Sequence, residues 1–349
     1  MRTVRAIRYL TPLREGGSVP AVVEADDDGT YVAKFHGAAQ GPRALVAELI
    51  AGELGRLLGL PVPQLALIEI DALLARSEPD PELQDLLRKS AGLNIALDYL
   101  PGALNWEPAL APPPEPELAA AIVWFDAFIT NVDRTPKNPN MLRWHRALYL
   151  IDHGAALYFH HDWSDHLARS RSPFAMIRNH ALLPLAGDMR AADAQLAPRI
   201  TQAALRDIVA QVPDDCSSRR RSVPSSFDYA VVRVVPRVER GELIIAGVIV
   251  SCPTQGYLAA RVALDAARLR ALSPSTDAAE VEAALALIPL IAAGDPRGGP
   301  IAALPRGERF HWLVAPRSAM IQTSPVHTGL CDAPAAALDH LFERLVLLP

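Results

Sequence analysis

A polar stretch, Asn131–Asn140, restricts the fold more than any other feature of this sequence. It contains three asparagines and two prolines. Proline interrupts a helix and asparagine favours turns, so this stretch must be a loop. Because the segment before it, Leu118–Thr130, is apolar and predicted to be helical, the chain has to place a polar loop directly at the end of a buried helix.

The side chains of this loop suit phosphoryl transfer, which requires a carboxylate near the acceptor hydroxyl and oxygen ligands for Mg²⁺. Asp133 can accept a proton from an attacking hydroxyl or orient it. Asn138, five residues later, offers a neutral oxygen to a metal ion. An ordinary surface loop rich in asparagine and proline is the alternative interpretation.

A nucleotide also needs a cation for its phosphates, and Lys34 is the candidate. It lies in the strand predicted over Thr30–Phe35, which follows the strand Ala21–Glu24 through an acidic turn that ends in glycine. The earlier glycines Gly16 and Gly17, followed by Ser18, can form a loop whose backbone approaches phosphate oxygens. Taken alone, an edge-strand lysine and an ordinary turn are the simpler explanations.

Carboxylates complete the pattern. The helix predicted over Arg43–Leu58 carries Glu48, which can pair with Lys34, and Glu53 is a competing candidate. Asp152 ends the strand predicted over Leu148–Asp152 and enters a glycine-containing turn, a position that suits a hard cation.

In this order the features resemble the protein-kinase superfamily, and most closely its HipA-like branch. The local pattern Asn-X-Asp-X-X-X-Lys-Asn of that branch is matched by Asn131, Asp133, Lys137 and Asn138. The tripeptide that begins at Asp152, Asp-His-Gly, stands where the superfamily commonly has Asp-Phe-Gly. The resemblance covers about residues 1–215.

The resemblance implies ATP and Mg²⁺ as cofactors and assigns a role to each candidate. The catalytic group comprises the base Asp133, the phosphate-binding Lys34 and its partner Glu48. The metal ligands are Asp152 with either Asn138 or Asn140. The implied nucleotide-binding residues are Gly16, Gly17, Ser18, Lys34 and Lys137, together with the backbone of Leu97, Asp98, Tyr99 and Leu100.

The expected fold class is α+β, with a bilobed kinase-like domain over residues 1–215. Its β-rich N-lobe spans 1–93, a hinge spans 94–103, and a helical C-lobe, ending in a helix predicted over Ala191–Val212, spans 104–215. A linker, 216–226, leads to an α+β domain over 227–349 that resembles a domain of unknown function accompanying HipA-like kinases. There the sequence predicts strands at Tyr229–Val235, Leu243–Cys252 and Phe310–Ala315, and helices at Ala263–Ala271, Ala278–Ala293 and Ala335–Leu348.

Composition excludes several other functions. The formal net charge is −5 and there is no long basic tract, which disfavours direct nucleic-acid binding. No segment reaches about 18 consecutive apolar residues, so the sequence does not support a membrane span. The three cysteines are far apart, as expected for reduced thiols in the cytoplasm.

The sequence therefore predicts a serine/threonine protein kinase of HipA-like type with an unidentified protein substrate. A small-molecule kinase on the same fold is one alternative. A nucleotide-binding pseudokinase or toxin–antitoxin-like scaffold is another, with the C-terminal domain mediating protein contacts. A His/Asp-rich stretch, 160–166, is interpreted as a polar loop after Asp152 that can take part in recognising an acidic or phosphorylated acceptor.

Overall fold

The computed structural model describes residues 1–13, 19–38, 41–107, 112–161, 165–213 and 225–347. The chain divides into two compact units. The first comprises Met1–Ala6, Leu10–Ala72 and Asp85–Arg219, and the second comprises Ile7–Tyr9, Leu73–Gln84 and Arg220–Pro349. The predicted glycine loop at Gly16, Gly17 and Ser18 lies outside the described residues, as do positions 216–224 of the predicted linker.

The elements up to residue 213 include both strands and helices, with most of the strands in the first half. In chain order they are β1 (Thr3–Pro12), β2 (Ala21–Ala25), β3 (Thr30–Lys34), α1 (Gly41–Leu57), β4 (Leu65–Ile70), α2 (Pro81–Lys89), β5 (Gly92–Asp98), β6 (Leu104–Asn105), α3 (Pro116–Phe128), β7 (Met141–Trp144), β8 (Ala147–Leu150), α4 (His166–Arg171), α5 (Met189–Leu196) and α6 (Gln202–Val209).

The five N-terminal strands form a sheet in the order β1-β2-β3-β5-β4. β4 also pairs in parallel with β1, with Thr3 opposite Leu67, so the strands close on themselves. The predicted hairpin is confirmed, since β2 and β3 pair antiparallel with Glu24 opposite Thr30. Lys34 is the last residue of β3, and only 8% of its surface is exposed.

Helix α1 packs closely on this sheet at Gly52. A Cβ atom added there would lie 2.9 Å from a methyl group of Leu65, so the leucine side chain would have to shift. This close approach excludes water from the inward face of the helix. Glu48, one turn before Gly52 on the same face, is completely buried.

Helix α3 confirms the apolar helix predicted from the sequence, and its side chains meet those of α1 and the sheet in one hydrophobic core. The largest of its fully buried members are Trp106, Phe125, Leu49, Leu54, Ile122 and Ile129. The continuous helix predicted over Ala191–Val212 is wrong. α5 ends at Leu196, Pro198 follows, and α6 begins after Thr201, whose side chain caps it.

The second unit has a sheet in the order β11-β10-β9-β13, with β12 also paired to β9. Alternate residues of β9 point to opposite faces, so that Val232 and Val234 lie in one apolar cluster and Phe227, Tyr229 and Val231 in another. Helices cover both clusters. The elements are β9 (Ser225–Val234), β10 (Ile244–Cys252), β11 (Tyr257–Val262), α7 (Ala266–Leu272), α8 (Ala278–Ala293), α9 (Arg306–Val314), β12 (Ile321–Thr323), β13 (His327–Cys331) and α10 (Pro334–Leu345).

One secondary-structure prediction in this unit is wrong in type. Phe310–Ala315 was expected to be a strand, but it belongs to helix α9. Phe310 and Leu313 are buried and the residues between them are exposed, which is helical spacing. None of the helices in the described part of the chain is long and apolar enough to cross a membrane.

Candidate active site

Lys34 joins three distant parts of the chain. Its Nζ atom donates hydrogen bonds to Oε2 of Glu48 at 2.6 Å and to Oδ1 of Asp152 at 2.7 Å. The Glu48 side chain is completely buried, whereas 40% of the Asp152 side chain is exposed. Glu53, the competing candidate, instead lies 3.5 Å from Arg56 on the same helix. Strand β3, helix α1 and the turn after β8 therefore meet at one lysine.

Glu48 is held from two sides. Its Oε2 atom also accepts the main-chain N–H of His153 at 2.7 Å, so α1 is linked directly to the turn that carries Asp152. Burial would raise the pKa of Glu48, but Lys34 and His153 outweigh it and hold that pKa at about 2. Burial would lower the pKa of Lys34, and the carboxylates of Glu48 and Asp152 raise it above its usual value. Glu48 and Lys34 are therefore both charged at neutral pH.

The hairpin of β7 and β8 brings the end of the polar loop to Asp152. Its two-residue turn, His145 and Arg146, has both residues at positive φ, which matches the twist of the paired strands. At its open end the amide of Ile151 donates to the carbonyl of Asn140 at 3.0 Å. This bond brings together the two chain segments that carry the predicted metal ligands Asn140 and Asp152.

Both of these residues have a left-handed backbone. φ is +49° at Asn140 and +59° at Asp152, a region in which asparagine and aspartate are enriched among residues other than glycine. Such a conformation persists only where the surrounding contacts enforce it, and it is concentrated at functional sites.

Asp133 lies at the centre of the polar loop. Its Oδ2 atom accepts from the side-chain amides of Asn138 at 3.1 Å and Asn140 at 3.3 Å, and its own amide donates to Oδ1 of Asn131 at 3.1 Å. The loop turns back through paired backbone bonds between Thr135 and Asn138, and this turn leaves the predicted nucleotide ligand Lys137 exposed.

A buried aspartate on α3, Asp126, binds two residues of the polar loop. It was not predicted from the sequence. Its carboxylate accepts from Arg134 Nε at 2.6 Å and from Asn131 Nδ2 at 3.0 Å, and lies 2.8 Å from Nε2 of His180. Burial would raise the pKa of Asp126, but Arg134, His180 and Asn131 keep it below its usual value. The signal was present in the sequence, because a carboxylate inside the apolar run Ile-Val-Trp-Phe-Asp needs a buried partner.

Arg134 connects Asp126 to the residues at the open end of the β7–β8 hairpin. Its side chain is completely buried, and its Nη1 atom donates to the carbonyls of Pro139, Asn140 and Ile151. The two residues that follow Asn138 and the residue that precedes Asp152 are thus fixed to a single guanidinium group. Asp133, next to Arg134 in sequence, takes its position from the same group.

Comparison with known proteins identifies the family. Residues 6–242 match the model of a family described as HipA-like kinase. This chain belongs to the HipA-like kinase family. Residues 229–346 match a second model, described as a protein of unknown function (DUF3037). The resemblance inferred from the sequence is confirmed for both parts of the chain.

The HipA-like kinase is also similar to a solved structure, the proinflammatory kinase CtkA of Helicobacter pylori. The two are 15% identical, with a TM-score of 0.38, and the alignment covers 56% of this chain and 84% of that one. A comparison with curated proteins found no match.

Membership of the HipA-like family implies the use of ATP, usually with a divalent metal ion, and the donor set fits Mg²⁺. Asn138 and Asn140 turn their amide nitrogens toward Asp133, which leaves their oxygens for a cation. Together with the carboxylate of Asp152 they would offer a cation only oxygen ligands, which hard cations prefer. Within the described ranges, no group of three His, Cys, Asp or Glu residues could hold a metal ion.

The predicted hinge residues of this HipA-like kinase are partly engaged in the sheet. The amides of Asp98 and Tyr99 donate to the carbonyls of Gln64 and Thr30 at 2.9 and 3.0 Å. Leu97 lies within β5, and the carbonyl of Leu100 accepts from Ala103. Nucleotide binding by the backbone of these four residues stays a prediction.

Two cavities border these regions of the HipA-like kinase. The larger, of about 500 Å³, is lined by Tyr99, Leu100 and the aromatic residues Trp144 and Tyr149, and does not include Lys34. The other, of about 10 Å³, is lined by Lys34, Asp152 and residues of α1. Lys34 and Asp152, which contact each other, line the smaller cavity, so we assign the chemistry there despite its size.

Proposed function

We propose that this chain is a serine/threonine protein kinase that uses ATP and Mg²⁺. In this proposal the closed sheet and the helical part of the first unit are the two lobes of a kinase domain, with the nucleotide between them. The observation that carries the proposal is the contact of Lys34 with both Glu48 and Asp152, because phosphoryl transfer needs a positioned cation beside a metal-binding carboxylate.

Lys34 is the phosphate-binding residue in this proposal. Its charge is secured by Glu48, which stays ionised at every physiological pH. Asp152 is the more exposed of the two partners, so phosphate oxygens can replace it at Lys34 while the buried contact with Glu48 persists. Asp152, with Asn138 or Asn140, would hold Mg²⁺, which would supply positive charge beside the transferred group.

Asp133 is the proposed catalytic base. The amides of Asn138 and Asn140 donate to its Oδ2 atom and fix the orientation of the carboxylate. Its remaining oxygen can receive the proton of the acceptor hydroxyl. The chain therefore catalyses the reaction mainly by positioning and by electrostatic stabilisation.

The acceptor in this proposal is a hydroxyl group of a protein, and the second unit contributes to binding partners. The test is transfer of labelled γ-phosphate from ATP to a cell lysate. We expect transfer by the wild type, and a fall of about 10² to 10⁴ in rate for Asp133→Asn, in which the shape of the side chain is kept.

The exposed Asp85 provides the matched control, since Asp85→Asn should transfer phosphate at the wild-type rate. Chelation of Mg²⁺ should abolish transfer. Equal transfer by wild type and Asp133→Asn would show that another group supplies the activity, and tight ATP binding without transfer by the wild type would favour a scaffold.

A further inference from the structure

The chain that follows the Asp152 turn leaves the polar loop and returns to it on the other side of Asp133. At the start of this excursion the amide of Leu157 donates to the carbonyl of Ile129 at 2.6 Å. At its end the amide of Ala181 donates to the carbonyl of Arg134 at 3.0 Å. The stretch between these two bonds therefore borders the loop that carries Asp133, where the proposed function places the acceptor hydroxyl.

The second half of this stretch, residues 166–181, is positively charged, and we call it the basic segment. It contains Arg169, Arg171 and Arg178 and no aspartate or glutamate, in a chain of net charge −5. Asp162 and Asp165 precede it. Arg171 and Arg178 are exposed, and in the described part of the chain neither is paired with a carboxylate.

The basic segment also exposes apolar side chains. Leu167 is 61% exposed and Met176 is 49% exposed, and α4 buries none of its residues. Exposed apolar groups beside arginine are typical of protein-binding surfaces, in which methionine and arginine are enriched. The segment is nevertheless anchored, because His180 contacts the buried Asp126.

We propose that the basic segment binds acidic residues flanking the acceptor hydroxyl, so that the substrates are serines or threonines in an acidic protein context. In naming the acceptor, this inference rests on the proposed function. Complementary charge favours the encounter and disfavours basic acceptors. Nucleic acid fits less well, because binding a phosphate backbone takes many cations and the chain as a whole is negative.

The experiment measures the binding of two labelled serine peptides of equal length by fluorescence anisotropy at low salt, one with Asp/Glu flanks and one with Lys/Arg flanks. The wild type should prefer the acidic peptide, and salt should weaken that binding. The double variant Arg171→Glu/Arg178→Glu should bind it about tenfold more weakly. The matched control is Arg206→Glu, an exposed arginine on α6, which should bind like the wild type.

Equal binding of both peptides by the wild type would overturn the inference, as would unchanged binding of the acidic peptide by the double variant. So would displacement of the acidic peptide from the wild type by an equal concentration of a single-stranded RNA oligonucleotide. Thermal unfolding confirms that each variant folds. Failure of the proposed function gives a different result, namely a wild type that binds the acidic peptide but transfers no phosphate. Transfer without a preference for acidic peptides contradicts this inference alone.

Discussion

Nε of Arg134 lies 2.6 Å from Oδ2 of Asp126, and both side chains are completely buried. This ion pair connects the apolar helix α3 to the loop that carries Asp133 and, through the other contacts of Arg134, to the strand that delivers Asp152. The position of the proposed catalytic base therefore depends on a pair that never reaches the solvent.

Replacement of Asp126 by asparagine should destabilise the first unit strongly. It leaves the buried guanidinium of Arg134 without its counter-charge, which costs about 3–5 kcal/mol of unfolding free energy. Chemical denaturation measures the loss, with Asp207→Asn on the exposed face of α6 as control, expected within about 0.5 kcal/mol of wild type. A variant as stable as the control would contradict the assigned role of Asp126.

Arg134→Lys should impair phosphate transfer although it keeps the charge. A lysine cannot reach the carboxylate of Asp126 and the carbonyls of Asn140 and Ile151 together, because it lacks the planar fork of donors. We expect kcat to fall about tenfold or more and the KM for ATP to change little, since the substitution leaves Lys34, the proposed phosphate-binding residue, in place. Arg206→Lys is the control, and a rise in KM at constant kcat would argue against a positioning role.

Replacing Lys34 alone should lower the free energy of unfolding more than replacing both Lys34 and Glu48. Lys34→Met leaves Glu48 charged and buried, at a cost of about 3–5 kcal/mol in unfolding free energy. The double variant Lys34→Met/Glu48→Gln has no buried charge to compensate and should recover part of that loss. Lys89→Met, at an exposed lysine, should be near wild type in stability and in transfer. A double variant less stable than Lys34→Met would contradict this account.

Acid should weaken the first unit through Glu48. The pKa of Glu48 is about 2 when folded, against an ordinary value of 4.5, so the unfolded chain binds the proton more readily. The stabilisation is complete above pH 4.5 and is lost as the pH falls toward 2. Urea midpoints measured across this range should fall less steeply for Glu48→Gln than for wild type, and parallel curves would contradict the lowered pKa.

The residues around Lys34 could be predicted because phosphoryl transfer needs a cation and carboxylates, and because their order along the chain resembles that of the protein-kinase superfamily. The hairpin before Lys34 could also be predicted, since it turns at an acidic stretch ending in Gly29. Strand β7 could not, because its turn is made by His145 and Arg146, which carry no glycine or asparagine signal for a positive φ.

Other failures have a similar physical origin. Phe310–Ala315 is a short apolar run, and its spacing does not distinguish a buried strand from a helix. Asp126 was overlooked because its function depends on partners 5, 8 and 54 residues away, which come together only when the loop folds under α3. Sequence reasoning therefore found the groups expected to contact the nucleotide and missed the group that holds the loop in place.

The central claim is that Asp133 and Asp152 act at one site with Lys34. The most direct test is the rate of labelled γ-phosphate transfer by Asp133→Asn, Asp152→Asn and the double variant under single-turnover conditions. Residues that act as a unit have non-additive effects. The double variant should therefore transfer phosphate at about the rate of the slower of the two single variants. A double variant slowed by the product of the two single effects would mean that the two carboxylates act independently, and would contradict the account.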